Sequence, residues 1–407
     1  MKNVFKKALS FTLAAALTVG SMFSLASCGK KNYAKDNETL KIGVSGPLTG
    51  GAAKYGIAVK NSAQMAIDEI NAAGGLYGMQ LELLALDDEH KKENVTTTYS
   101  AMYEDGMQIS LGTVTTAPGL EFKELSKDDN VFVLTPSATG DDVVEYSNAY
   151  QMCFADSNQG TASAQYFNEN YLGKKVGVFY KADDEYSSGI YEKFMAALDQ
   201  SFKTAGVPVA TFTGDSLDFS TQVNMLKDCE VIFLPIYTEP AAAFMKKGVG
   251  VVADDAIYYG CDGLDGVEAE FGTWDEFMQI PQEVSFLSHF NSKAQSGPAY
   301  DFVQKYNARY DSEKEPVNQF GAAAYDCVYA IYEALKYAKQ TLGKEFDVTT
   351  SPSDYCDILT EVFNSDSFVF HGITGKCEGD NKSDISWDET GFVNKQADKY
   401  VVKPANE

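Results

Sequence analysis

Short hydroxyl side chains follow two neighbouring apolar segments of this chain. Residues 112–116, Gly-Thr-Val-Thr-Thr, come after the apolar segment 107–111, and residues 136–140, Pro-Ser-Ala-Thr-Gly, come after 131–135. If both segments are strands of a parallel sheet, the two turns lie at its carboxyl edge, where open α/β folds bind ligands. Hydroxyls and free backbone N–H groups there suit an anion, especially a carboxylate. The alternative is ordinary N-capping, because Ser and Thr are favoured ahead of helices in any protein.

Catalytic signatures are scarce in the sequence. Its 3 histidines, His90, His289 and His371, stand in no recognisable catalytic or metal-ligand spacing. The nucleophile elbow, the metalloprotease helix and the Walker phosphate loop have no counterpart. Adjacent acids such as Asp87 and Asp88 offer hydrolysis as an alternative, but solvated turns are expected in so acidic a chain. We predict a binding protein rather than an enzyme, with no metal or other cofactor.

The N-terminus carries a targeting signal. Three lysines precede a largely apolar run over residues 8–25, which is typical of a secretory signal. The run ends in Leu25-Ala26-Ser27-Cys28-Gly29, which resembles the bacterial lipobox, where cleavage precedes a cysteine that then carries lipid. A transmembrane anchor is the alternative. We predict a signal peptide over 1–27, a flexible tether over 28–38, and an extracytoplasmic protein anchored to the bacterial cell membrane through lipid on Cys28.

The net charge excludes one class of partner. Loss of residues 1–27 removes three lysines and no acid, so the formal charge moves from −25 to −28. An acidic body without a basic patch repels nucleic acid, and no nucleic-acid partner is expected.

About 370 residues follow the tether, which suggests two domains.

The cysteines do not form a metal site by their spacing. The chain has 7 of them, and none stands in a C-x-x-C pair. Wide spacing argues against a zinc site or a dense disulfide scaffold. Beyond Cys28, both pairing outside the cell and burial as free thiols remain open.

Strands and amphipathic helices alternate in two series, which predicts parallel βαβ units in two similar lobes. The predicted strands of the first series are 40–45, 80–86, 107–111 and 131–135, and those of the second are 175–180, 207–212, 231–235, 256–260 and 283–287. Two late helices, 300–310 and 321–339, have no strand between them. We expect them to pack on the first lobe's sheet, which makes both lobes discontinuous.

Short motifs spread over most of the chain point to one family by their order and spacing. They are KIG with SGPLTG (41–50), NAAGG (71–75), LG (111–112), TPSAT (135–139), NQG (158–160), YD (325–326), GITG (372–375) and WDETG (387–391). Together they resemble the solute-binding receptors of ABC importers with the type I periplasmic-binding fold, in the branched-chain amino-acid (Leu/Ile/Val-binding) group.

This resemblance implies an α/β fold of two similar Rossmann-like lobes, with parallel central sheets, joined by a three-segment hinge. Lobe I is predicted to comprise 39–156 and 288–391, and lobe II to comprise 157–287 and 392–407. Hinge closure between the lobes buries the ligand. The implied protein is a monomer that binds an amino acid and delivers it to the permease of an ABC importer.

The resemblance also implies residues for the ligand's carboxylate. The family holds this group with lobe I turns, and the motif maps onto Thr116, Ser137 and Thr139. Hydroxyls and N–H groups suit the task because they donate without adding a competing full charge. Thr139 follows from a match without gaps, Thr116 rests on a looser match, and Ser137 is expected to act through its backbone.

The ammonium and the side chain of an amino acid need other groups. Asp262, after the predicted strand 256–260, maps onto an acidic position of the family and is expected to bind the ammonium from lobe II. The alternative is a turn-forming Asp beside Gly. Tyr186, in a loop ahead of a predicted helix 190–204, and Tyr237 map onto family tyrosines. Tyr55, placed in the first loop, is a candidate for the pocket wall.

Two alternatives remain at the level of the sequence. The first is a receptor of the same fold for an amide, an aromatic acid or another small solute instead of an amino acid. The hydroxyl set together with Asp262 favours a zwitterion over a simple acid or amide. A ligand sensor without a transport role is the second alternative, because its fold is the same.

Overall fold

The structure, a computed structural model, describes residues 37–311, 315–377 and 381–405. The predicted signal peptide 1–27, the lipidated Cys28 and the tether up to residue 36 lie outside these ranges. Within them, no helix has the length and apolarity needed to cross a bilayer.

Two sheets carry the fold. The first has five parallel strands in the order β2-β1-β3-β4-β5: β1 Leu40–Gly46, β2 Leu81–Asp87, β3 Ile109–Thr113, β4 Phe132–Thr135 and β5 Ala149–Gln151. The second has the order β13-β10-β9-β8-β6-β7: β6 Val176–Lys181, β7 Val209–Phe212, β8 Val231–Leu234, β9 Ile257–Gly260, β10 Glu283–Ser288 and the antiparallel β13 Asp398–Lys403. A small hairpin joins β11 Phe370–Gly372 and β12 Ser383–Ile385.

Twelve α-helices of the described residues cover these sheets. Those of lobe I are α1 Ala53–Ala72, α2 Lys92–Glu104, α3 Thr116–Asp128, α10 Gly297–Arg309, α11 Gln319–Thr341 and α12 Pro352–Phe363. Those of lobe II are α4 Asp156–Asn170, α5 Glu185–Ala197, α6 Gln200–Ala205, α7 Ser220–Leu226, α8 Thr238–Gly248 and α9 Trp274–Met278.

The late helix α11 packs closely along α1 over the first sheet. Small residues make this approach possible: a Cβ at Gly321 would lie 2.8 Å from Oγ of Ser62, and the alanines 322–324 are fully buried beside it. Apolar burial between two helices and a sheet is what holds such a layer together. The late helices therefore pack on the sheet of lobe I, as predicted from the sequence.

Three segments connect the lobes: 152–155 after β5, 289–296 after β10 and 386–397 ahead of β13. Lys395, on the third, donates to the carbonyl of Met152 on the first (2.6 Å), and Gly375 donates to the carbonyl of His289 on the second (2.6 Å). Ser288 pairs with Asp398 in the second sheet, although the predicted bounds give it to lobe I. Lys395, predicted for lobe II, contacts lobe I.

Two local expectations are wrong. The predicted helix 190–204 is two helices, α5 and α6, because Asp184 accepts from Ser187 N–H and Asp199 accepts from Ser201 N–H, so each aspartate caps a new helix. Tyr186 is consequently helical. Tyr55, expected in the first loop, lies in the first turn of α1.

Candidate functional site

The two hydroxyl-rich turns of lobe I meet at one sheet edge. The Thr135 hydroxyl donates to the carbonyl of Thr113 (2.9 Å), and Gly140 N–H donates to Oγ1 of Thr116 (3.2 Å). Since β3 and β4 are adjacent and parallel, the strand ends are held side by side. The Thr116 hydroxyl is thus directed to the second turn, and its neighbour Thr115 lines the cavity between the lobes.

Ser137 and Thr139 line the same cavity and are buried. The N–H of Ser137 lies a long 3.4 Å from Oγ1 of Thr135, which is a weak bond by distance. The carbonyl of Thr139 accepts from the backbone N–H of Asp156 (2.8 Å). The second turn therefore brings two hydroxyls and a loosely held N–H to the cleft, and the Thr139 side chain also hydrogen-bonds Asp156.

Asp262 faces these turns from lobe II, just after β9. Its Oδ1 accepts from the Tyr186 hydroxyl (2.8 Å), and its backbone N–H donates to Oε1 of Gln159 (3.0 Å). Its Oδ2 is buried and has no hydrogen-bond partner among the described residues. Burial raises the pKa of Asp262 from 3.8 to about 7, against the hydrogen bonds from Tyr186 and Gln159. A carboxylate oxygen in this state is suited to a cationic partner.

Aromatic rings surround the remaining space. Tyr186 and Tyr237 stack with centroids 4.8 Å apart, and Tyr55 contacts Tyr237 at 5.6 Å. Phe320, from α11, meets Tyr55 edge to face at 5.3 Å. These four rings and the two turns line one cavity, so the structure brings together six of the seven predicted site residues, all except Thr116.

Tyr55 also joins the lobes directly. Its hydroxyl donates to the carbonyl of Gly263 (2.6 Å) and accepts from Thr238 N–H (3.0 Å). Next to it, Lys54 forms an ion pair with Glu270 of lobe II. Gly263 is required here because a Cβ would lie 2.5 Å from the Tyr186 hydroxyl oxygen.

The cleft is closed in this structure. The inner cavity has about 10 Å³ of free volume, roughly the space of one water. A larger cavity of about 500 Å³ lies outside it, and Tyr237 borders both. His90 stands at this border: its Nδ1 lies 2.9 Å from Oγ1 of Thr115, and its ring meets Tyr237 edge to face at 5.3 Å. Entry of a solute into the inner cavity therefore requires the lobes to part.

Sequence reasoning missed several residues of this site. Gln159 lies in the NQG motif, which contributed to the family resemblance, but the motif alone does not indicate a role at the site. Thr115 lies one position from the predicted Thr116, and His90 was considered only for catalysis. Phe320 had no local signal because α11 reaches the cleft only through tertiary packing. Within the described residues, no group of three or more His, Cys, Asp or Glu side chains is placed so that it could hold a metal ion.

The molecule has two α/β lobes, three segments that connect them, and a polar and aromatic cavity between them. This is the architecture of a two-lobed solute-binding protein. Residues 39–350 match the family described as "Periplasmic binding protein". The chain belongs to this family.

Known proteins agree with this placement. The chain is 27% identical to the Leu/Ile/Val-binding protein BraC3 of Rhizobium johnstonii over 87% of this chain and 93% of that protein. It is similar to the crystal structure of the branched-chain amino-acid transporter substrate-binding protein LivJ of Streptococcus pneumoniae in complex with isoleucine. There the TM-score is 0.68 at 25% identity, over 90% of this chain and 100% of that one.

A second solved structure, the leucine-binding protein LivK of Thermotoga maritima, has a TM-score of 0.72 at 24% identity, over 90% of this chain and 97% of that one. The predicted family and the type I periplasmic-binding fold are therefore confirmed. This family consists of solute-binding receptors of ABC importers, which work outside the cytoplasm.

Proposed function

We propose that this protein is a lipid-anchored receptor that binds an amino acid between its two lobes and passes it to the permease of an ABC importer. The observation that carries the proposal is the buried Oδ2 of Asp262, which has no hydrogen-bond partner among the described residues and lies across the cavity from the hydroxyl-rich turns. The turns provide donors for a carboxylate, and Asp262 provides the acceptor for an ammonium. A zwitterion satisfies both ends at once.

The walls of the cavity suit an apolar side chain. Phe320 and the rings of Tyr55, Tyr186 and Tyr237 border it, and apolar contact of this kind stabilises a bound aliphatic group. The names of the Rhizobium relative and of the Streptococcus structure support a branched-chain amino acid. An aromatic acid or an amide fits less well, because it leaves the Asp262 carboxylate buried without a cation.

Attachment to the membrane follows from the predicted lipid on Cys28 and the tether behind it. A receptor held this way stays near its permease after the signal peptide 1–27 is removed. We infer a transport role rather than sensing alone because the family serves ABC importers, and a monomer because one chain contains both halves of the site.

A ligand screen tests the proposal. The mature protein is heated with each of the twenty amino acids, with benzoate and with the 2-hydroxy analogue of leucine. A ligand at 100 times its dissociation constant adds about 2.7 kcal/mol to the free energy of unfolding. We expect the largest shift with leucine, isoleucine or valine and little with benzoate. No shift with any amino acid contradicts the proposal.

A further inference from the structure

Two helices that begin at the cleft are capped from the opposite lobe. α8 of lobe II begins at Thr238, and its first backbone N–H donates to the hydroxyl oxygen of Tyr55 on α1 of lobe I (3.0 Å). α11 of lobe I begins at Gln319, and its first backbone N–H donates to Oδ2 of Asp265 in lobe II (2.8 Å). Each lobe therefore supplies an acceptor for a helix of the other lobe.

The two helices need these acceptors because the first N–H groups of a helix have no partner within it. Tyr237, the residue before α8, provides no side-chain cap. Asn318, the residue before α11, accepts from Gly321 N–H (2.9 Å). The N–H of Gln319 is left to Asp265. The helix dipole also favours oxygen atoms at a helix N-terminus. A movement that parts the lobes separates both helices from these acceptors.

Further contacts join the lobes next to the Tyr55 hydroxyl. This group also donates to the carbonyl of Gly263 (2.6 Å), so lobe II uses both its donor and its acceptor. The ammonium of Lys54 pairs with the carboxylate of Glu270, which accepts from the Thr238 hydroxyl as well (2.9 Å). The ion pair is an attraction between the lobes in a chain whose net charge is −25.

We propose that reciprocal helix capping holds the lobes closed over the amino acid, and that Tyr55 and Asp265 set how slowly the amino acid leaves. This inference rests on the proposed amino-acid function. Of the described residues, Tyr55 borders the inner cavity, whereas Asp265 and Gln319 do not. The second cap therefore stabilises the closed form without touching the ligand. Asp265 is a positioning residue, because it acts on the ligand only through closure.

The expected effect is on the rate of release. The caps form when the lobes close, after the ligand has entered the open cleft, so their loss acts on dissociation more than on association. Tyr55→Phe keeps the ring that packs on Tyr237 and Phe320 and removes both hydrogen bonds of the hydroxyl. We expect the dissociation rate to rise about tenfold in Tyr55→Phe and about fivefold in Asp265→Ala.

Stopped-flow measurements with L-leucine test the inference. The cleft tyrosines provide a fluorescence signal, and the observed rate plotted against L-leucine concentration gives the association rate as slope and the dissociation rate as intercept. Two matched controls lose the same kinds of bond inside one lobe. The Tyr150 hydroxyl donates to Asn364 in lobe I (3.0 Å), and Asp199 caps α6 in lobe II by accepting from Ser201 N–H (2.8 Å). Tyr150→Phe and Asp199→Ala should release L-leucine at the wild-type rate.

The outcomes separate the caps from the proposed function. Faster release in both cap variants, with wild-type release in both controls, supports reciprocal capping. Wild-type release in Asp265→Ala overturns it, and faster release in Tyr55→Phe alone assigns that hydroxyl to the ligand instead. An equal acceleration in the controls overturns it too, since the effect is then general to lost bonds. A wild-type protein that binds no amino acid overturns the proposed function, and with it the role of the caps in release.

Discussion

Buried carboxylates occur in two places in this molecule, and their surroundings differ. Near the hinge, Asp326 accepts from the N–H groups of Ile373 and Thr374 (2.9 Å each) and from the Thr374 hydroxyl. The buried ammonium of Lys395 donates to Thr374 and acts on Asp326. In the cleft, Asp156 and Asp262 lie together without a cation among the described residues. The first group contains its own countercharge, whereas the second has none among the described residues.

The pKa shifts of the buried acids show the same difference, namely the presence or absence of a nearby cation. Burial raises the pKa of Asp326, but Lys395 and the hydrogen bonds of residues 373 and 374 oppose the change. Burial lowers the pKa of Lys395 to about 8, against the attraction of Asp326. At the cleft, the interaction between the two acids adds to the effect of burial on Asp156. Removal of a charge should therefore have opposite consequences in the two places.

The largest effect is expected from Lys395→Met. This change leaves Asp326 buried without its cation, and loss of one partner of a buried pair costs about 3–5 kcal/mol. Urea denaturation should measure this loss in the free energy of unfolding. Lys339→Met is the control, because Lys339 pairs with the exposed Glu345 and should change stability by less than about 1 kcal/mol. Equal losses in both variants would contradict a structural role for the hinge pair.

Asp262→Asn should lower the affinity for the ligand without lowering stability, the reverse of what is expected for Lys395→Met. Affinity for the amino acid should fall by about 2–5 kcal/mol, because the ammonium loses a desolvated charge partner. The stability of the free protein should not fall, since a buried acid without a cation opposes folding. Calorimetry and urea denaturation of one preparation measure both quantities. Unchanged affinity would mean that Asp262 does not contact the ammonium.

The pH dependence of stability separates the two places further. Asp262 keeps its proton in the folded protein up to about pH 7, while the unfolded chain loses it near pH 4. The unfolded state therefore binds fewer protons between these values, and stability falls as pH rises, by up to about 1.4 kcal/mol per unit. The difference between wild type and Asp262→Asn between pH 5 and pH 7, without ligand, should follow this slope. A flat difference would contradict the raised pKa.

The smallest effects are expected from two matched threonine substitutions, one beside Asp326 and one in the cleft. Thr374→Val removes the hydroxyl that donates to Asp326 and accepts from Lys395, and should lower the free energy of unfolding by about 1–3 kcal/mol, with little change in affinity. Thr139→Val should weaken amino-acid binding by a similar amount and lower stability less, because its hydroxyl bonds Asp156 but no buried cation. Thermal denaturation and calorimetry on both variants decide between these outcomes. A Thr139→Val protein that binds as tightly as the wild type would exclude a ligand contact for that hydroxyl.

Much of the fold was predictable because its signals are local. Short apolar runs bounded by glycine and hydroxyl turns predict strands, and apolar residues at helical spacing predict helices, whatever surrounds them in the fold. The site was predictable only where a short motif carries it, as for Thr139 and Asp262. The lobe bounds and the ligand roles of these residues remain predictions.

By itself, the sequence determined two βα series, their family and the turns that end at the cleft, since these depend on residues close together in the chain. Tertiary structure decided which groups meet. Thr115 lines the cavity in place of the predicted Thr116, and Phe320 reaches it from α11. Gln159 contacts the carboxylate of Asp156 and the backbone N–H of Asp262, which are far apart in the chain. Such contacts depend on how layers pack and how lobes close, and no local pattern encodes that geometry. That no described residue places a countercharge beside Asp156 and Asp262 is likewise visible only once their neighbours in space are known.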